Sequence, residues 1–230
     1  MLLLNARPTS KRLACRAGYR QRTTMITLYQ RLIRWLFQRL YHELAWSYDL
    51  IAWLVSGGYW QRWVVAAVPA LRGRVLELGC GPGYLQRALA ARPGVVGLDA
   101  SPAMLRRAAR FTKRLVRADA RRLPFAGASF DTVCATFPAE YILDPATHAE
   151  IRRVLAPDGQ LVIVDGGRLE GSYGRLIDAI YRLIWLGRYT RELPATIPFG
   201  DFCMQVQRIT VGHSSVLIMT GRPHESGSER

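Results

Sequence analysis

Three glycines at alternate positions, Gly79, Gly81 and Gly83, most constrain the fold of this chain because they directly follow a short apolar segment. Residues 75–78 predict a strand buried on both faces, and residues 84–91 predict a helix. Glycine accepts a positive φ and lets a ligand approach the backbone, and the first turn of the helix offers N–H groups and a positive dipole end. The sequence therefore predicts a strand–turn–helix unit with a nucleotide-type binding site in its turn.

The spacing of these glycines excludes a dinucleotide-binding loop. The G-x-G-x-x-G pattern requires a further glycine at position 84 or 86, where the chain carries Tyr84 and Gln86. The pattern that remains, E-x-G-x-G-x-G beginning at Glu77, resembles motif I of the class I S-adenosylmethionine (SAM)-dependent methyltransferases. The resemblance implies that Glu77 holds the loop or the methionine amine and that the glycines admit the cofactor to the backbone. An ordinary glycine-rich tight turn is the alternative for the loop taken alone.

A second carboxylate, Asp99, ends the next predicted strand at residues 94–99. An acid at this position can accept both ribose hydroxyls of a nucleotide, and we assign the adjacent Ala100 to the same cofactor-binding set. Ser101 and Pro102 then predict the N-cap and the first turn of a helix. The alternative for Asp99 is a carboxylate that caps this helix.

Two further segments resemble the same family. Asp119 and Ala120 begin a D-A-x-x-L-P-F segment that leads to S-F-D-x-V at residues 129–133, and residues 150–159 match E-x-x-R-V-L-x-P-x-G. The resemblance implies that Asp119 accepts the adenine N6 amino protons and that the backbone N–H of Ala120 reaches the ring. The four matches follow in order along residues 74–165.

The resemblance implies an α/β fold with a Rossmann-like, seven-stranded, mostly parallel sheet, a C-terminal antiparallel hairpin, helices on both faces and an N-terminal helical cap. Residues 202–210 and 214–220 predict the hairpin. A chain of 230 residues, half of them hydrophobic, can bury one large core of this kind. The expected organisation is a disordered basic tail at 1–24, a helical cap at 25–70, the methyltransferase domain at 71–221 and a C-terminal tail at 222–230.

Residues 45–63 indicate which part of the protein would bind the methyl acceptor. They resemble the A-x-x-Y-D … S-x-G-x-x-x-R-W region of ubiquinone and menaquinone C-methyltransferases and related phospholipid N-methyltransferases. The resemblance implies that this segment caps the cofactor and lines the acceptor pocket, with Tyr48 and Asp49 as contact candidates. A plain helical cap is the alternative. An acceptor that loses a proton is helped by a base, and the candidates are Tyr48, Tyr141 and His148, none of which the sequence singles out.

The net charge of +15 predicts an anionic partner, either nucleic acid or an acidic membrane surface. The alternative is an arginine bias that reflects genomic base composition, since Lys11 and Lys113 are the only lysines. Residues 1–24 contain basic residues and no acid, and they are either a tail or an over-extended start of the reading frame before Met25. Residues 27–44 predict a basic amphipathic helix that lies in a headgroup layer or packs on the catalytic domain. No segment is apolar for long enough to predict a membrane span. The expected location is cytoplasmic, with peripheral contact at the inner membrane face.

The predicted function is SAM-dependent transfer of a methyl group to a small, apolar or lipid-like acceptor, such as a quinone, by in-line displacement. S-adenosyl-L-methionine is the expected cofactor, and no metal is expected because the cysteines and histidines are scattered. A nucleic-acid methyltransferase is one alternative, but residues 136–140 lack the Asn/Asp-Pro-Pro-aromatic tetrapeptide of the amino-methylating class. The other alternative is a non-catalytic, membrane-associated SAM-binding scaffold. The segment after residue 187, on the side that would bind the methyl acceptor, is shorter than in the family that the chain resembles.

Overall fold

The computed structural model describes residues 48–184 and 193–223. The predicted tail at 1–24, the predicted helix at 27–44 and the end of the C-terminal tail lie outside these residues. The helices are α1 (Tyr48–Ser56), α2 (Trp60–Val65), α3 (Tyr84–Ala88), α4 (Pro102–Ala108), α5 (Pro145–Val154) and α6 (Gly171–Ile184), with 3-10 turns at Val68–Ala70 and Glu140–Leu143. The strands are β1 (Val75–Leu78), β2 (Val95–Asp99), β3 (Leu115–Arg117), β4 (Phe130–Thr136), β5 (Leu155–Leu169), β6 (Thr196–Phe199), β7 (Phe202–Thr210) and β8 (Ser214–Pro223).

The strands form one sheet in the order β3-β2-β1-β4-β5-β8-β7-β6. Strands β1 to β5 are parallel, and β8 is antiparallel to both β5 and β7. This arrangement confirms the predicted Rossmann-like α/β fold and its C-terminal antiparallel hairpin. Because β1 lies between β2 and β4, the chain order reverses beside the carboxyl end of β1, which is where open α/β sheets bind ligands.

The described sheet has one strand more than the seven predicted. The additional strand, β6, forms a tight hairpin with β7 in which Phe199 pairs with Phe202. Pro198 lies inside β6 and pairs with Cys203. Proline cannot donate to a strand ladder and is tolerated at a sheet edge, which is the position that β6 occupies. The count was wrong because a four-residue strand with a proline has no clear alternation of apolar residues.

Alternate side chains of the central strands enter two separate cores. Leu76 of β1 packs in one core with Ile151 of α5, and Val75 packs in the other with Trp63 of α2 and Leu85 of α3. Each of these side chains is almost fully buried. Helices therefore cover both faces of the sheet, as predicted, and β1 is held rigidly between them.

The helices that precede the sheet are fixed to it through α2. The indole Nε1 of Trp63 donates to Ser214 Oγ at 2.9 Å, and that hydroxyl donates to the Val211 carbonyl at 2.6 Å. Ser56 Oγ at the end of α1 accepts a hydrogen bond from the Trp60 N–H at 3.0 Å, so α1 and α2 are joined end to end. Across 48–184 and 193–223, the structure contains no helix with the length and hydropathy of a bilayer span.

Candidate functional site

The glycine loop between β1 and α3 has three residues with left-handed backbone conformations: φ is 67° at Gly79, 52° at Gly81 and 88° at Gly83. A Cβ atom at Gly79 would lie 2.6 Å from the Tyr141 hydroxyl, and one at Gly83 would lie 2.9 Å from Ala108. A Cβ atom at Gly81 would meet nothing within 4 Å. The outer two glycines are therefore required by conformation and packing, whereas Gly81 leaves its backbone open to a ligand.

Asp99 at the end of β2 is bound directly to this loop. Its Oδ2 accepts a hydrogen bond from the Gly81 N–H at 2.8 Å, and its Oδ1 accepts one from the Ser101 N–H at 2.7 Å. The N-cap of α4 is Ser101, whose Oγ accepts from the Met104 N–H at 3.4 Å. Asp99 is thus not the cap of α4, and its partly exposed carboxylate lies beside the open glycine together with the exposed Ala100.

Glu77 lies beneath the loop and is 1% exposed. Its Oε2 accepts from Gln86 Nε2 at 2.9 Å, and its Oε1 accepts from Thr136 Oγ1 at 3.2 Å. Burial raises the pKa of Glu77 to about 7, against the opposing effect of these two hydrogen bonds. Glu77 therefore joins β1, α3 and β4 directly below the loop. The sequence did not reveal Gln86 and Thr136 as the hydrogen-bond partners of Glu77. The position of Gln86 directly after Leu85, on a helix with an apolar face, was a signal of a buried polar partner.

Asp119 and Ala120 follow β3 at the same edge of the sheet, because Arg117 at the end of β3 pairs with Asp99. The Asp119 carboxylate accepts from the Arg121 N–H at 2.9 Å and forms an ion pair of 3.2 Å with its guanidinium. Ala120 is 6% exposed and belongs to the core. The topology brings Asp119 to the same edge as Asp99, and in this structure its carboxylate is bound by Arg121.

The three candidate bases have different surroundings. Tyr48 is the first residue of α1, and its side chain lies outside the described part of the chain. Tyr141 donates its hydroxyl proton to the Leu78 carbonyl at 2.9 Å, and burial followed by the Asp99 and Glu77 charges raises its pKa well above the ordinary value. It supports the loop from behind and is a poor proton acceptor.

His148 lies away from the glycine loop, in the packing between α5 and β6. Its Nε2 is 2.7 Å from the Ile142 carbonyl, and its ring centroid is 4.6 Å from that of Phe199. The ring is 8% exposed, and a Cβ atom at Gly200 would overlap it. These contacts are those of a packing residue that positions the edge of the sheet.

Asp49 on α1 connects the helical cap to the rim of the site. Its carboxylate accepts a hydrogen bond from the hydroxyl of Tyr84, the first residue of α3, and forms an ion pair with Arg107 of α4. Burial, and then the Asp49 carboxylate, raise the pKa of Tyr84 above its ordinary value. The cap is therefore tied to both helices that begin beside the glycine loop. Tyr84 and Arg107 were not predicted, because their pairing with Asp49 depends on how α1 packs.

The aromatic side chain of Trp60 lines the cleft beside the loop. Trp60 of α2 stacks on Phe137 with ring centroids 4.3 Å apart. Phe137 has a φ of 47°, an unusual conformation for a bulky residue, directly after β4. The lining of the cleft includes Trp60, Glu77, Gly79, Gly81, Tyr84 and Thr136. Pairs of tryptophan and phenylalanine at such a wall exclude water and suit an apolar or planar ligand.

The cleft fits an adenosine-type cofactor in three respects. The open backbone at Gly81 allows close contact, Asp99 provides carboxylate oxygens beside it, and the aromatic wall excludes water. Within the residues that the structure describes, no group of three or more His, Cys, Asp or Glu side chains is arranged to hold a metal ion.

Comparison with known proteins agrees with this geometry. The Methyltransf_11 family, a methyltransferase domain, matches residues 76–163. Over 140 residues the chain is 37% identical to the demethylmenaquinone methyltransferase of Thermus thermophilus. This alignment covers 55% of this chain and 64% of that protein. Over 172 residues it is 31% identical to the ubiquinone/menaquinone biosynthesis C-methyltransferase UbiE of Paraburkholderia phymatum. This alignment covers 66% of this chain and 70% of that protein.

A solved SAM-dependent methyltransferase from Thermotoga maritima has the same fold. Its TM-score is 0.50 at 18% identity, over 75% of this chain and 94% of that chain. The fold, the glycine loop with its acidic partners and the sequence similarity lead to one conclusion. The chain belongs to the type 11 group of the class I SAM-dependent methyltransferases, and S-adenosyl-L-methionine is its cofactor.

Proposed function

We propose that this protein transfers a methyl group from SAM to a small apolar or lipid-like acceptor of the quinone class. The observation that carries the proposal is that the open Gly81 backbone and the aromatic Trp60 line the same cleft. A cofactor-binding loop and an apolar wall in one cleft are what a methyl transfer to a planar, poorly soluble acceptor requires.

The proposed cofactor-binding residues are those at the carboxyl edge of β1, β2 and β3: Glu77, Gly79, Gly81, Gly83, Asp99, Ala100, Asp119 and Ala120. Asp99 would accept the ribose hydroxyls, because a carboxylate has about four acceptor sites and can keep its bonds to Gly81 and Ser101 at the same time. Asp119 would accept from the adenine amino group, for which Arg121 would have to release one carboxylate oxygen. Glu77 would act by holding the loop.

The cofactor supplies an electrophilic methyl group on a sulfonium, so the protein mainly has to align the acceptor and exclude water. Trp60 supplies the apolar wall of the cleft, and Phe137 stacks on its ring and supports it. Tyr141 and His148 are each bonded to a backbone carbonyl within packed surroundings, which leaves Tyr48 as the proposed proton acceptor. Its position next to Asp49, which contacts Tyr84 at the loop, supports this choice.

The names of the relatives support the acceptor class. Two of them are named as methyltransferases of menaquinone or ubiquinone biosynthesis, and the aligned parts cover about two thirds of their lengths. The family match at residues 76–163 includes the glycine loop and the strands that surround it. An aromatic wall above that loop suits a quinol ring better than a polar acceptor.

Radiolabelled methyl transfer tests the proposal. The full chain is incubated with tritium-labelled SAM and a lipid extract that contains reduced quinones, and the organic phase is counted. Label in a quinone fraction is the expected result, and replacement of Trp60 by alanine should reduce it by about tenfold or more. Asp158→Ala, an exposed residue in β5, is the matched control and should transfer normally. If the protein binds the cofactor fully but no label enters the organic phase, the proposal is overturned and a SAM-binding scaffold remains as the function.

A further inference from the structure

The exposed large apolar side chains collect on two neighbouring helices. Among the side chains that the structure describes, all those in this class lie on α1 or α6: Leu50, Trp53, Leu54, Tyr173, Leu176 and Ile180. Trp53 is 59% exposed and Leu176 is 56% exposed. We call these six residues the α1–α6 patch. Isolated exposed apolar residues are common, but a collection confined to two helices marks an interaction surface.

The two helices form one continuous surface. The hydroxyl of Tyr173 on α6 donates to the Leu54 carbonyl of α1. The spacing of the exposed residues is helical on both elements, at 50, 53 and 54 on α1 and at 173, 176 and 180 on α6. The patch is therefore a surface on the outer side of the cap, and the opposite side of α1 carries the buried Ala52 and Ser56.

A strongly basic surface adjoins the patch at α4. Residues 101–129 contain eight arginines or lysines and one acid, Asp119. Seven of the eight are exposed, and Arg121 among them is ion-paired with Asp119 and Asp144. We call the other six the basic edge: Arg106, Arg110, Lys113, Arg114, Arg117 and Arg122. The ion pair between Asp49 of α1 and Arg107 of α4 joins the element that carries the patch to the element that begins the basic edge.

We propose that the α1–α6 patch and the basic edge together dock this protein on an anionic lipid bilayer. Aromatic and aliphatic side chains enter the boundary between headgroups and acyl chains, and nearby arginines attract the acidic headgroups. Nucleic acid would use the arginines but has no use for an exposed cluster of leucine, isoleucine and tryptophan. The net charge of +15 favours the same anionic partner.

The inference rests on the proposed function, because docking through the cap would bring the cleft close to acceptors dissolved in the bilayer. α1 lies between the two regions: its outer face carries the patch, and its Asp49 contacts Tyr84 at the cleft. An apolar acceptor could then reach the site without crossing bulk water.

Vesicle flotation with the full chain tests the docking. Vesicles contain phosphatidylcholine alone or with roughly a third phosphatidylglycerol, at salt concentrations of about 0.15 M and about 0.5 M. The protein should float with the anionic vesicles at low salt and much less with neutral vesicles. Trp53→Ser/Leu176→Ser/Ile180→Ser should weaken binding by about tenfold or more, and Arg106→Gln/Arg110→Gln should weaken it by about tenfold and reduce the salt dependence.

The matched control is Gln205→Ser/Gln207→Ser, which changes exposed residues of β7 and should bind vesicles as the unchanged chain does. Calorimetry with S-adenosylhomocysteine on each variant separates the two proposals, since intact cofactor binding with lost flotation assigns the effect to docking. Equal binding of the triple variant and the control would overturn the docking surface. Failure of the unchanged chain to float, with tight salt-sensitive binding of RNA or DNA in its place, would overturn it in favour of nucleic acid. Either result would leave cofactor binding and methyl transfer to be judged by their own assays.

Discussion

Asp49 and Arg107 form an ion pair between α1 and α4, and Asp49 also accepts the hydroxyl proton of Tyr84 at the start of α3. Tyr84 directly follows the glycine loop, so this carboxylate links the cap to the rim of the proposed cofactor site. The side chain of Asp49 is 51% exposed and that of Arg107 is 18% exposed. The pair is therefore partly screened by solvent and can open without unfolding the core.

Asp49→Asn should weaken binding of S-adenosylhomocysteine by up to about fivefold, because a partly exposed ion pair contributes about 0.2–1 kcal/mol. Titration calorimetry measures this, with Asp158→Asn as the control carboxylate. A double-mutant cycle with Arg107→Gln should show that the two changes are not additive. Additive effects, or equal affinities for Asp49→Asn and the control, would mean that the cap is not held through this pair.

The variants Gly81→Ala and Gly83→Ala should have different effects, the first mainly on cofactor affinity and the second mainly on stability. At Gly81 the added Cβ meets open space, so the cost to folding is the left-handed conformation, about 1–2 kcal/mol. At Gly83 the added Cβ also meets Ala108, which adds about 1–3 kcal/mol of overpacking. Urea unfolding should rank Gly83→Ala as the less stable variant, while Gly81→Ala should lose more cofactor affinity than its stability change explains. A loss of cofactor affinity in Gly81→Ala no larger than its stability change explains would show that the open space at Gly81 is not a ligand surface.

The stability of the protein should depend on pH through Glu77. Its pKa is raised by burial from 4.5 to about 7, so the folded state holds the proton more tightly than the unfolded state does. Stability contributed by Glu77 is then fully present below about pH 4.5 and is lost as the pH rises towards about 7, a change of about 3 kcal/mol. Urea unfolding of the unchanged chain and of Glu77→Gln, measured between these limits, isolates this dependence. Parallel pH profiles for the two proteins would refute a buried carboxyl that titrates in this range.

Loss of the hydrogen bond between Trp63 and Ser214 should loosen the cap from the sheet. Trp63→Phe removes the indole N–H that donates to Ser214 Oγ, at an expected cost of about 1–2 kcal/mol, since some packing volume is lost as well. Chemical denaturation gives the size of the change. Thr210→Ser, an exposed change at the end of β7, is the control and should be close to neutral. An unchanged stability for Trp63→Phe would show that the cap is held by other contacts.

The parts of the fold that the sequence predicted are those set by local pattern. The strand before the glycines, the helix start at Ser101 and the terminal hairpin each follow from residues within a few positions of one another. Parallel pairing of β1 and β2 then brings Asp99 to the glycine loop, so the contact between Asp99 and Gly81 follows from topology.

The contacts that sequence reasoning missed join residues whose distance depends on packing. Asp49 and Arg107 are 58 residues apart, and nothing in either segment specifies the angle of α1. Residues 157–159, Pro-Asp-Gly, have the composition of a turn, but they lie within β5 where its register against β4 shifts between Leu155 and Gln160. Proline and glycine indicate a break in regular structure but do not distinguish a bulge inside a strand from a turn before it.

Binding of S-adenosylhomocysteine to the unchanged chain and to Asp99→Ala, compared by titration calorimetry, tests the central claim most directly. We expect one site per chain in the unchanged protein and a loss of affinity of at least about tenfold in the variant, because a charge-assisted hydrogen bond contributes about 1.5–3 kcal/mol. Asp158→Ala should bind as the unchanged chain does. Tight binding that Asp99→Ala leaves unaltered would contradict the assignment of the loop and β2 as the cofactor site.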